Sequence, residues 1–468
     1  MTGIAPKIIR NSYADGVFAT MFATLTGGVF LTGLALHMGM SEAAIGLLGA
    51  MPYAATLFQL PASVHISRKG RRKRLALTGA AVGRLLWLPI LAVAVAQAVP
   101  PALKTAAVVI LVFIAHAFIS VSYVSWLSWT SDLVPDNHLG RFFGTRNMLN
   151  GMAGMGTAVG FGYLLERMIQ NGTQAPATAF TLVFMAAVLF GLTSLVFLSR
   201  IPDPRHALKT ATVDLRNLLA PLKETNFRRF LLYDAAWSFS VYCASPFFAL
   251  YFLRDLNFSY TFVALMAMAS GVADLTGMRV WGMVSDRIRN KAVIQSCSGV
   301  AVFLPLLWTF ARPGDVLLPA LLHIVGGGFW AGINLCTNNM MLRIAPREKR
   351  AVCISLHNIA TGFGATLAPI AAGICITWMG DARLSVSSMS WTPLQMVLVA
   401  SSGLRILSLL LLRRVNEPEA VPVGRMIRVL RNVRGLNTTN GFSSPLHPFV
   451  EAPEGTDPGK SPRAHERP

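Results

Sequence analysis

Acidic residues are scarce in this chain. Its 468 residues hold 21 Asp and Glu against 41 Lys and Arg, a formal net charge of +20. Charge of either sign is thin too: 13% of residues are charged, where a soluble domain carries about 25%. That excludes an ordinary water-soluble enzyme. The five cysteines (Cys243, Cys297, Cys336, Cys353, Cys375) all fall in the second half and never as CxxC. A disulfide framework or a zinc site is therefore excluded, and they read as small buried apolar residues. No GxxxxGK[ST] loop occurs, so ATP is not the expected driving force, and no cofactor or metal is expected. The start, "MTGIAPKIIRNS", runs straight into a long apolar stretch, so no cleavable signal peptide is expected.

What the chain has instead is apolar length. Hydrophobic residues make up 53%, and the mean hydropathy is +0.53. Long apolar runs alternate with short basic clusters, the pattern of a chain that lives mostly in lipid. The runs predict twelve membrane helices. Six span 13–38, 44–66, 75–99, 102–129, 147–169 and 178–199; six more span 231–253, 260–284, 292–311, 316–342, 351–378 and 393–412. Lys and Arg divide unequally between the two sides, 24 against 5 before the tail is counted. By the positive-inside rule both termini are expected in the cytoplasm, in a multi-pass protein of the cell (inner) membrane.

Taken alone, the run "SRKGRRKR" (Ser67 to Arg74) suggests a nucleic-acid patch. Between two apolar runs it instead predicts a cytoplasmic anchor for anionic lipid headgroups, and no nucleic-acid partner is expected. The chain also repeats itself. An offset of 219 places Asp15 on Asp234 and Arg68 on Arg287. An offset of 211 places Pro135 on Pro346, Asn147 on Asn358, Gly151 on Gly362 and Gly162 on Gly373. Matches at corresponding places imply two related six-helix halves. The expected organisation is 1–199, a central cytoplasmic loop 200–230, 231–412, and a tail 413–468. In that tail, Arg425, Arg428, Arg431 and Arg434 alternate with apolar residues and predict a basic amphipathic surface helix; beyond Asn437 the composition predicts disorder.

"GMVSDRIRNK" (Gly282 to Lys291) resembles the G-x-x-x-D-R-x-G-R-K loop of the major facilitator superfamily, which follows helices 2 and 8. Gly282, Asp286, Arg287 and Lys291 match, while Arg289 and Asn290 replace the usual Gly and Arg. The first-half copy matches through Arg68, Gly70, Arg71 and Arg72, with Ser67 in the place of the motif's Asp. "DLVPDNHLGRFFGTRN" is similar to the family's loop after helix 4 through Asp132, Pro135 and Gly140. The resemblance covers about residues 10–415. It implies an all-α membrane fold of twelve helices in two pseudo-symmetric halves that rock about a central site. It also implies a gating latch at Asp286 and Arg287, weakened in the other half by Ser67. A monomer moving a small organic molecule is expected, and no enzymatic activity. Rival readings are a facilitated uniporter and a non-transporting sensor or assembly factor on the same fold.

Charges inside spans are costly in lipid and point to function. Asp274 is the deepest acid and the expected proton-coupling residue. Arg84 is expected either to bind an anionic substrate or, by preference, to pair with Asp15. Asp15 and Asp234 open their helices, where the helix dipole suffices to explain them; Arg279 and Arg405 are assigned to helix ends. By the resemblance, helices 1, 4, 7 and 10 line the cavity. They offer Thr24, Thr26, His116, Tyr123, Trp126, Trp237, Tyr242, His323, Trp330, Asn334 and Asn338. That aromatic, mostly neutral wall predicts an amphiphilic or weakly polar substrate rather than a multiply charged one.

Overall fold

The computed structural model describes residues 6–69, 72–170, 176–203, 220–345, 350–386 and 389–417. Gly70, Arg71, most of the central loop and the basic tail lie outside these residues, and Ser67 and Arg68 are described as helix backbone only.

Eleven helical runs are long and apolar enough to cross a membrane. In the first half they are α1 (Lys7–His37), α2 (Glu42–Ile66), α3 (Arg72–Val95), α4 (Pro101–Thr130) and α6 (Pro176–Ser199). In the second half they are α7 (Thr225–Asp255), α8 (Tyr260–Ile288), α9 (Asn290–Trp308), α10 (Leu317–Ile344), α11 (Val352–Met379) and α12 (Pro393–Arg413). The twelfth helix, α5 (Asp136–Gln170), has 35 residues. Its glycines and charges dilute its hydropathy, but at about 1.5 Å per residue it is long enough to cross a core of about 30 Å.

Helices run further than apolar runs suggest. The segment Asp136–Asn147, expected as loop, is the first third of α5. The starts of α1 and α7 likewise precede the expected 13 and 231. These turns continue past lipid into water, where hydropathy carries no signal but backbone hydrogen bonding still favours helix.

Side-chain caps set several boundaries. Ser41 accepts from the Ala44 amide at 3.4 Å, and Ser259 from Phe262 at 3.1 Å. Thr392 and Gln395 form a reciprocal capping box ahead of α12. Between α8 and α9 the chain turns at Arg289, with φ 73° and ψ 164°. That left-handed geometry favours glycine, the residue the resembled motif carries there. α1 breaks near Gly27, after Thr26 turns its hydroxyl onto the Phe22 carbonyl at 2.8 Å. A two-stranded hairpin, β1 (Leu384–Val386) and β2 (Met389–Trp391), links α11 to α12.

The packing repeats at a six-helix interval. α1 lies against α5 and α6, α4 against α2 and α3; in the second half α7 lies against α11 and α12, α10 against α8 and α9. The halves meet where α2 packs on α11 and α5 on α8. Close approach of α2 to α7, also across the halves, depends on small residues. A Cβ on Gly49 would lie 2.6 Å from the Pro246 Cβ, so only glycine fits there.

Candidate functional site

The halves are joined at one face, the one opposite the basic loops. There Arg254 reaches across from α7 to Glu42 at 2.5 Å. The Thr377 hydroxyl accepts from the Ala43 amide at 2.9 Å. Thr261, at the head of α8, donates from its hydroxyl and its amide (3.3 Å) to Glu166 of α5. At the opposite end, Asp286 and Arg287 are exposed, with no ion-pair or hydrogen-bond partner among the described residues. The latch implied by the resemblance thus makes no polar contact among the described residues.

Lys291, and Arg72 of the first-half copy, are engaged within their own halves. Lys291 donates to the carbonyls of Val415 (2.7 Å) and Arg413 (3.3 Å). The carboxylate of buried Glu417 accepts from the Lys291 amide at 2.6 Å and from the Asn290 side chain at 2.8 Å. The segment after α12 thus caps the start of α9, satisfying amides no helical carbonyl can reach. A Cβ added at Gly282 would meet Leu335 Cδ2 at 3.7 Å, an ordinary contact, so space alone does not demand glycine there. In the first half, Arg72 pairs with Asp132 at 2.6 Å and donates to the Ser128 carbonyl at 2.7 Å. This ties the α2–α3 motif to the motif after α4.

Two chambers lie between the closed face and the loops. The first, about 390 Å³, is walled by α1 to α4 and by α7, and includes Thr26, Tyr53, Arg84, His116, Ser122 and Tyr242. The second, about 480 Å³, lies in the other half and includes Ser270, Trp308, His323, Trp330, Asn334 and Arg405. Both are lined by Tyr53, Tyr242 and Ser245. The two tyrosine rings lie 4.4 Å apart, one from each half.

His116, Tyr242, His323, Trp330 and Asn334 thus reach a chamber. Thr24 and Tyr123 line neither, and Tyr123 is exposed. Trp126 is buried beneath the Arg146 guanidinium, 4.2 Å from its ring centroid. Trp237 packs 5.9 Å from Trp330 and supports it from behind. Asn338 is exposed and donates to the Asn334 carbonyl at 2.9 Å. Asp274 is half-buried in α8 and lines neither chamber.

The expected Asp15–Arg84 pair is not a direct ion pair: the two charges lie within Coulombic reach, but a second arginine makes the contact. Arg146 of α5 approaches Asp15 at 3.6 Å, and the Ser194 hydroxyl donates to Asp15 at 2.5 Å. Arg84 instead passes Gly191 of α6 and reaches the first chamber, its Nη1 without a hydrogen-bond partner among the described residues. Arg405 is not at a helix end either. It sits mid-α12, donates from Nη1 to the Ala301 carbonyl at 2.8 Å, and lies 5.8 Å from the Trp330 ring centroid. Both arginines carried a readable signal, a guanidinium deep in an apolar run. Side-chain direction within the bundle was the missing part.

Asp234 has a partner that sequence reasoning missed. His357 Nε2 is 2.5 Å from the Asp234 carboxylate, and its ring stacks on Phe230. This pair is the counterpart of Asp15 and Arg146: the offset of 219 carries Asp15 to Asp234, and the offset of 211 carries Arg146 to His357. Each half therefore bridges its first and fifth helices with a buried acid and a base. The base is permanently charged in one half and titratable in the other.

The sequence profile of the Major Facilitator Superfamily matches residues 16–242 and 231–444. No curated protein matches the chain by sequence. Among solved structures, the nucleoside transporter NupG is similar at a TM-score of 0.65 and 14% identity, over 87% of this chain and 98% of that one. A bacterial homologue of the iron transporter ferroportin, in an inward-facing state, gives a TM-score of 0.65 at 11% identity, over 87% and 97%. A D-xylose–proton symporter gives 0.61 at 15%, over 89% and 99%. At these identities the likeness is one of fold.

Proposed function

Because the chain belongs to the Major Facilitator Superfamily, we propose that it is a secondary transporter that carries a small organic molecule by alternating access. The observation that carries this reading is a site built by both halves. Two chambers meet at Tyr53 and Tyr242, with the halves clasped on one side and the Asp286–Arg287 latch without polar contact among the described residues on the other. A rocking motion would break the clasp and engage the latch, moving the access path from one face to the other. The basic face is the cytoplasmic one, on the lysine and arginine asymmetry, with the protein in the cell membrane.

Protons are the coupling ion in this reading. Asp234 and His357 form a buried pair whose imidazole can gain or lose a proton, whereas the base of its counterpart, Arg146 beside Asp15, is a guanidinium. Loss of the proton from His357 would weaken the bridge between α7 and α11 in one half alone. Asp274 is the second candidate. Uptake from a metabolite mixture by sealed proteoliposomes, with and without an imposed proton gradient, tests the proposal. Gradient-driven accumulation should vanish in Asp234→Asn while exchange of substrate persists. If Asp274→Asn gives that phenotype instead, coupling belongs to α8; a gradient with no effect on the wild type removes proton coupling.

A further inference from the structure

Arg84 and Arg405 are 7% and 3% exposed, and each contributes to a different chamber. Neither has an ion-pair partner among the described residues. Arg84 Nη1 and Arg405 Nε are buried with no hydrogen-bond partner among the described residues. No acid is left to either alone. Asp15 lies within Coulombic reach of Arg84 but is shared with Arg146 and Ser194, so Asp15, Arg84 and Arg146 together keep one uncompensated positive charge. Asp234 is held by His357, and Glu417 caps α9. A guanidinium removed from water without an anion is costly, and guanidinium geometry suits a planar acidic group. Chambers that retain two such groups are built to be neutralised from outside.

From this we infer that the substrate is a small organic anion, its acidic charge bound between Arg84 of the first half and Arg405 of the second. The inference rests on the transporter reading and deepens it. It also replaces the weakly polar substrate expected from a neutral aromatic wall. Trp330 braces Arg405 from one side, and the Tyr53–Tyr242 pair lies where the chambers join. A ligand spanning both arginines would touch both halves, as a substrate that couples to rocking must.

The test uses purified full-length protein in nanodiscs, with thermal shift and direct titration. Succinate, glucose 6-phosphate and benzoate are the anionic probes; xylose and uridine are the neutral ones. At least one anionic probe should raise the melting temperature while the neutral ones do not. Its affinity should fall about 30-fold or more in Arg84→Gln and in Arg405→Gln, with partial recovery in Arg84→Lys. Ligand-free protein supplies a second readout: Arg84→Met should keep or raise the melting temperature, because an uncompensated charge has been removed. A lower melting temperature in that variant would make Arg84 structural and overturn the inference. So would stabilisation by neutral probes alone, or by none. Anion binding without transport would leave this inference standing and sink the transporter reading.

Discussion

Replacing Gly49 with alanine tests whether the clasped face is one state of a moving protein. The added methyl carbon would lie 2.6 Å from the Pro246 Cβ and 2.7 Å from its Cγ. Carbon atoms pack best at about 3.5–4.0 Å, so α2 and α7 must part by about 1 Å. A proline ring cannot rotate aside, and overpacking of this kind costs about 1–3 kcal/mol. Only the conformation with this face closed bears that cost, so its population should fall about 5- to 150-fold relative to the alternative. Spin labels at Gln170 and Arg312, exposed near that face in opposite halves, would report the change by double electron–electron resonance in a cysteine-free background. Wild type should give a dominant short distance, and Gly49→Ala a second, longer one. Gly403→Ala, where an added Cβ meets nothing within 4 Å, is the control and should match wild type. An unchanged distance distribution in Gly49→Ala would refute the two-state reading of this seam.

Other variants probe separate links. Asp15→Asn strips buried Arg146 of its acid; breaking a pair this way costs about 3–5 kcal/mol, and the melting temperature in detergent should drop sharply. Arg289→Gly relieves a backbone conformation in which side chains are disfavoured (φ 73°), so stability should rise by about 1 kcal/mol, read as a higher melting temperature. Glu417→Ala frees the amides of Asn290 and Lys291, so hydrogen exchange at the start of α9 should speed up; unaltered exchange would deny the cap. Ser67→Asp gives the first-half motif the acid its second-half copy has, and transport rate should change; an unchanged rate would leave that loop an anchor only.

The helices and the two-half repeat were legible because lipid demands long apolar runs and the repeat preserved Asp15 with Asp234 and Asn147 with Asn358. The neighbouring match, Arg146 with His357, was not legible. A guanidinium and an imidazole look unlike in sequence, and only the shared contact with an aspartate equates them. Arg84 and Arg405 were visible as buried charges, but helix rotation decides whether such a group meets an acid or a chamber. In α3 and α12 it meets a chamber. The reach of α4 and α5 beyond the membrane was hidden for a different reason: a helix in water needs no apolar run.

The most direct test of alternation joins Glu42→Cys to Arg254→Cys with a reducible cross-linker, in a background lacking the native cysteines. The two side chains already meet across the halves, so the cross-link holds the closed face shut. Uptake from a metabolite mixture into proteoliposomes, read by mass spectrometry, should stop on cross-linking and return on reduction. Undiminished uptake through a protein whose halves are covalently tied at that face would contradict the account.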